Sequence, residues 1–129
     1  METNTFLEKK AKAGDPDACF RVGWRLQFGR NRPRPTRGRQ IFKYWLCAAR
    51  QGHVRAQFYL ATCYDFGIGV RKNLRLAARW YRRAAEGGHE TAQYNLSICY
   101  QKGDGVRKNH KKEVYWLKLA AAQGKISAR

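Results

Sequence analysis

The chain has 129 residues, with 27 Lys or Arg against 9 Asp or Glu, for a net charge of +18. That length suits one domain, and the absence of any apolar run of about 18 residues excludes a membrane-spanning helix. Residues 1–13 are charged and carry no apolar signal core, so a cleaved secretion signal is not expected and a cytoplasmic setting follows by default.

In chain order, Thr5-Phe6-Leu7-Glu8 fits a capping box and predicts a short leading helix within 1–14. Asp15-Pro16 supplies a capping carboxylate followed by a proline suited to the first helical turn. It opens a first helix pair over 15–52, divided by an arginine- and proline-rich stretch at 30–39. The second pair spans 53–88. Ala56, Leu60, Cys63 and Tyr64 fall at i, i+4, i+7 and i+8, a helical stripe. That helix ends at Gly67-x-Gly69, which permits left-handed backbone. Asn73 suits the N-cap of its partner helix, which places Leu76, Trp80, Tyr81, Ala84 and Ala85 on one side and closes at Gly87-Gly88. A third pair over 89–124 repeats the pattern, with Asn109 as the cap, and a tail of 125–129 follows. Seven helices and no strand are expected.

Residues 56–73 return as 92–109, an offset of 36, and both segments end in Gly-Val-Arg-Lys-Asn. A fixed period of this size marks a repeat architecture, whose units bury their apolar faces on one another and offer extended binding surfaces. A worn copy lies upstream. Ala18, Val22, Gly23, Leu26 and Gly29 match Ala56, Leu60, Ala61, Tyr64 and Gly67, and Tyr44, Ala48, Ala49, Gly52 and His53 match Trp80, Ala84, Ala85, Gly88 and His89. The two residues by which this copy is longer sit in the arginine-proline stretch. In the leading helix, Leu7, Ala11 and Gly14 align with Trp45, Ala49 and Gly52 as a half copy.

The pattern Ala-x-x-x-Leu-Gly-x-x-Tyr-x-x-Gly-x-Gly-Val, then Trp-Tyr-x-x-Ala-Ala-x-x-Gly, resembles the Sel-one-like repeat (SLR) family, relatives of the tetratricopeptide repeats. It is carried by Ala56, Leu60, Tyr64, Gly67, Gly69, Val70, Trp80, Tyr81, Ala84, Ala85 and Gly88. It is carried again by Ala92, Leu96, Tyr100, Gly103, Gly105, Val106, Trp116, Ala120, Ala121 and Gly124. Ala61 and Ser97 replace the glycine after leucine, and Asn31 and Arg32 replace Gly-Val in copy one. The resemblance implies an all-α protein, a right-handed α/α superhelix of about three helix-pair repeats plus the leading helix. It also implies an adaptor or scaffold without catalytic residues or cofactors.

Charge is unevenly placed. No acidic residue lies between Asp17 and Asp65, but Arg21, Arg25, Arg30, Arg32, Arg34, Arg37, Arg39, Lys43, Arg50 and Arg55 do. Repeat equivalence aligns Arg39, Arg75 and Lys111, and also Lys43 and Arg79. Arg75, Arg79 and Arg82 share one face of their helix, opposite Trp80 and Ala84. A basic ridge ending in the arginine loop is therefore expected to meet a partner. A charge run is also an ordinary solvated face, but so lopsided a chain repels itself, which a polyanion would offset. Tandem helix pairs of this type generally turn their first helices inward, so Arg21, Tyr59 and Asn95, with Arg25 and Thr62 nearby, are expected to line a peptide groove. An acidic protein or peptide is the expected partner. Nucleic acid held through phosphates is the alternative, and an anionic membrane surface comes behind both. Trp116, Leu117, Leu119 and Ala120 lack a following repeat, so weak self-association through that end is a further expectation.

The four cysteines form no C-x-x-C pair, which argues against a zinc or redox motif and for buried packing. The SLR resemblance adds a comparison here: a secreted branch staples each repeat with cysteines seven residues apart. Ala49 and Ala56, then Ala85 and Ala92, occupy those places in this chain, which fits a reducing compartment. His53 and His89 recur at matching turns and read as caps rather than ligands.

Overall fold

Small residues recurring beside aromatic ones allow helices to approach closely, and the chain folds as a succession of such contacts. The computed structural model describes residues 4–29 and 37–123. They form α1 (Asn4–Lys12), α2 (Pro16–Phe28), α3 (Arg37–Arg50), α4 (Val54–Phe66), α5 (Leu74–Glu86), α6 (Glu90–Lys102) and α7 (His110–Ala122), with no strand. α2 packs on α3, α4 on α5 and α6 on α7. Contacts of α1 with α2, α3 with α4 and α5 with α6 join these pairs into one solenoid.

The polar residues at the turns act as caps, each satisfying an N–H that a helix start would leave unpaired. Asp15 Oδ2 accepts from the Ala18 amide at 2.9 Å. Asn73 and Asn109 do the same for Leu76 and Lys112 at 3.1 and 3.0 Å. His53 and His89 cap through Nδ1, accepting from Ala56 and Ala92 at 3.1 and 3.2 Å. Their rings stack on Phe20 and Phe58, with centroids 4.7 and 4.5 Å apart. The leading helix differs from its expected start. α1 already contains Asn4 and Thr5, so Thr5 lies in the first turn and is not the capping residue.

The core is continuous across the repeats. Ala48, Ala56, Leu60, Ala84, Ala92 and Leu96 are fully buried where helices touch, and Leu7, Trp45 and Tyr81 fill equivalent positions. Size is balanced within each pair. The Trp45 indole lies against Gly23, where a Cβ would meet Nε1 at 2.4 Å, so the largest core ring faces a residue with no side chain. In the next repeat the equivalent pair is Tyr81 and Ala61. Trp45 Nε1 also donates to the Phe20 carbonyl at 3.3 Å. Trp80 is buried and carries the Arg83 guanidinium 4.7 Å above its ring.

Two devices join one repeat to the next, and neither was evident in the sequence. Gln57 and Gln93 are buried, and each Nε2 donates to a carbonyl eight residues back, Ala49 at 3.2 Å and Ala85 at 3.1 Å. Cys19 holds the same position in the first copy, with Sγ 3.3 Å from the Ala11 carbonyl and 3.4 Å from Cys47 Sγ. The second device is backbone laid on backbone. Gly69 has φ +70°, and a Cβ there would fall 1.9 Å from the Gly38 oxygen; at Gly105 it would fall 2.1 Å from the Leu74 oxygen.

At the far end α7 leaves Tyr115 and Leu119 exposed. Ile126 and the tail, together with Arg30, Arg32 and Arg34 of the arginine loop, lie outside the described residues.

Two measurements check this packing. Gly69→Ala and Gly88→Ala both force alanine into left-handed backbone, which costs about 1–2 kcal/mol, but only Gly69 has a neighbour within 4 Å. Gly69→Ala is expected to lose about 1–3 kcal/mol more in urea unfolding, as overpacking does. Equal losses would show that the contact with Gly38 is not tight.

Burial pushes the Cys63 thiol up to about 12. The same effect, followed by the charge of Asp65, raises the Tyr81 phenol. In the unfolded chain a thiol ionises near 8.5 and a phenol near 10. Their contribution is therefore fully present below pH ~8.5 and is lost as pH rises toward 12, because the unfolded state releases its protons first. Urea melts across that range should show stability falling, with a shallower slope in Cys63→Ala.

Candidate partner-binding surfaces

The ridge residues sit on the second helices, α3, α5 and α7. Arg39 and Lys43 on α3, Arg75, Arg79 and Arg82 on α5, and Lys111 on α7 are all exposed, while Arg37 is half-buried at the start of α3. Helical spacing explains this, since the opposite side of α5 carries Ala77, Tyr81 and Ala84 into the core. Arg82 donates from Nε to Glu86 Oε1 at 2.8 Å and is partly neutralised. No described carboxylate pairs with Arg39, Lys43, Arg75, Arg79 or Lys111.

The groove residues divide between two cavities and the space between them. Arg21 and Arg25 line a shallow cavity of about 290 Å3 with Phe20, Trp24 and Arg55. Arg55 lies over both rings, 4.9 Å from the Phe20 centroid and 5.5 Å from that of Trp24. Arg21 is 4.0 Å from Asp17. Tyr59 lines neither cavity. Its ring is 5.1 Å from Trp45, 5.3 Å from Trp24 and 5.0 Å from Phe58, so it spans the junction of the first two repeats.

Thr62 and Asn95 line the second cavity, about 430 Å3, which opens between α4 and α6 over the start of α5. The Thr62 hydroxyl turns back to donate to the Tyr59 carbonyl at 2.6 Å. The functional groups that sequence reasoning missed are here: Asp65, Cys99 and Asp104 share this cavity with Tyr81. The Tyr81 hydroxyl donates to Asp65 Oδ2 at 3.0 Å. Burial, then Asp65 and Asp104, push the Cys99 thiol up to about 11. The one available signal was that Asp65 ends an acid-free run of the sequence; its convergence with Asp104 depends on two successive repeats stacking.

Among the described residues, no group of three His, Cys, Asp or Glu is placed to hold a metal ion, and no helix is long and apolar enough to cross a membrane. The arrangement offers charge, aromatic faces and grooves, which suits binding.

Comparisons with known proteins agree with that architecture. The Sel1 repeat family matches residues 16–53, 54–89 and 91–125. No curated protein matches the chain. Among solved structures, a Sel1 repeat protein from Oxalobacter formigenes is 30% identical with a TM-score of 0.84, over 96% of this chain and 93% of that one. A protective antigen of uropathogenic Escherichia coli with an SLR fold is 32% identical, TM-score 0.87, over 97% of this chain but 26% of that one. Helicobacter pylori cysteine rich protein B shares the fold at 22% identity and TM-score 0.72, over 96% of this chain and 87% of that one. Three matched repeats covering most of its length place the chain in the Sel1 repeat family.

Proposed function

We propose that this chain is a non-catalytic scaffold whose basic outer face binds an acidic protein or peptide. Sel1-repeat proteins are generally protein-interaction scaffolds. The observation that carries the finer reading is the unpaired cation recurring at equivalent places, Arg39, Arg75 and Lys111, with Lys43 and Arg79 beside them. A partner lying across the second helices meets positive charge at every repeat. Most of these cations are arginines, whose fork suits carboxylates bidentately. Four free thiols fit a reducing, cytoplasmic setting for this activity.

One observation favours nucleic acid as a second reading. Trp24, 37% exposed, lies beside Arg21, Arg25 and Arg55, and its ring is 4.4 Å from that of Phe28, which is 53% exposed. Exposed rings among arginines are how single strands are held by stacking and phosphate contact.

Fluorescence anisotropy with a glutamate-rich peptide, a single-stranded RNA and a neutral peptide separates these readings. The acidic peptide is expected to bind most tightly at low salt. Arg39→Glu/Arg75→Glu/Arg79→Glu should weaken it at least about tenfold, as expected for losing charged contacts, with the helical circular dichroism unchanged. Unchanged affinity would remove the outer face as the site. Tighter RNA binding that is lost in Trp24→Ala would favour the second reading.

A further inference from the structure

The cavity between α4 and α6 has the opposite sign to the rest of the surface. The chain has 27 basic residues and only 9 acidic ones, yet Asp65 and Asp104 both face this cavity and no described cation pairs with either. Lys102 stands exposed on the rim without bridging to them. Folding accounts for one of these four oxygens, since Asp65 Oδ2 takes the Tyr81 proton at 3.0 Å. Among the described residues no donor reaches the Asp104 carboxylate, and it caps no helix. The two charges are felt locally: after burial, they are what raises the Cys99 thiol further. Phe66, 72% exposed, stands at the mouth, and Phe58 and Ile98 contribute apolar wall.

We propose that this cavity binds the guanidinium of an arginine presented by an extended peptide segment of a partner protein. The site goes beyond the outer-face reading and does not depend on it. Two carboxylates lining one cavity suit a planar cation with five donors better than a point charge. An aromatic face at the entrance suits stacking of that same plane. The half-buried Asn95 adds a neutral polar group to the lining. The net positive charge of the chain opposes a cation at long range, but at about 0.15 M salt that field is screened beyond roughly 8 Å, while contacts inside a partly enclosed cavity are screened much less.

The test uses the full chain, isotopically labelled, at physiological salt. It is titrated with N-acetyl-arginine amide, which mimics an arginine within a peptide, and with the isosteric, uncharged N-acetyl-citrulline amide. Saturable shifts at the amides of Asn95, Ile98 and Cys99 are expected with arginine and not with citrulline. Asp104→Asn and Asp65→Asn should each weaken binding about tenfold, the scale of a charged hydrogen bond. Asparagine keeps the acceptor for Tyr81, so both variants should retain the wild-type helical signal, and Asp104→Asn touches no folding contact. No saturable shift, an equal response to citrulline, or full affinity in Asp104→Asn would overturn the proposal. Tighter binding of free L-arginine than of the amide would overturn the assignment to a peptide.

Discussion

The side chain at one position of each first helix determines how the repeats join. Gln57 and Gln93 reach back to the carbonyls of Ala49 and Ala85, at the end of the preceding second helix. Those carbonyls already accept the Gly52 and Gly88 amides at 3.0 Å. The glutamine adds a second bond to the same oxygen, which has two lone pairs, and so helps fix the angle between consecutive helices. Everything functional follows from that angle. It sets how far α4 stands from α6, which defines the cavity between them, and it keeps α3, α5 and α7 in register, which defines the outer face. In the first copy a thiol does this work, and a thiol is a weak donor. There Cys19 meets Cys47 as well as the Ala11 carbonyl, and Gln51 adds a bond to the Gly14 carbonyl at 2.8 Å.

Much of the fold was legible because it is local. Caps at Asp15, Asn73 and Asn109, stops at Gly67 and Gly103, and the buried stripe through Trp80, Ala84 and Ala85 depend on residues a few positions apart. The seven helices followed from that spacing, and the histidines at 53 and 89 read as caps because they recur where a helix must begin. The start of α1 was less legible, since a capping box shows only that a helix begins nearby.

The joints and the groove were not legible for the opposite reason. The Ala-Gln pair repeats openly at 56–57 and 92–93, but nothing in the sequence says that this glutamine is buried or where it points. Tyr59 occupies the groove position by alignment, yet its neighbours are the large rings of the preceding copy, Trp24 and Trp45, and it packs among them. Arg21 and Asn95 share its place in the repeat and end up beside different cavities. Equivalent positions give equivalent backbone. What a side chain touches depends on the neighbouring copy, and the copies differ.

That distinction also separates shape from surface. Gly69 and Gly38 meet main chain to main chain, as Gly105 does with Leu74, and the contact involves no side-chain chemistry. This half of the joint is therefore written in atoms that substitutions elsewhere do not alter. Arginines on the outer helices, or carboxylates in the groove, can be exchanged one at a time while the curvature that presents them stays constant. A fold jointed in this way can change partners by drift of its exposed positions alone, and a further unit added with the same glycine and the same glutamine would extend the same curve.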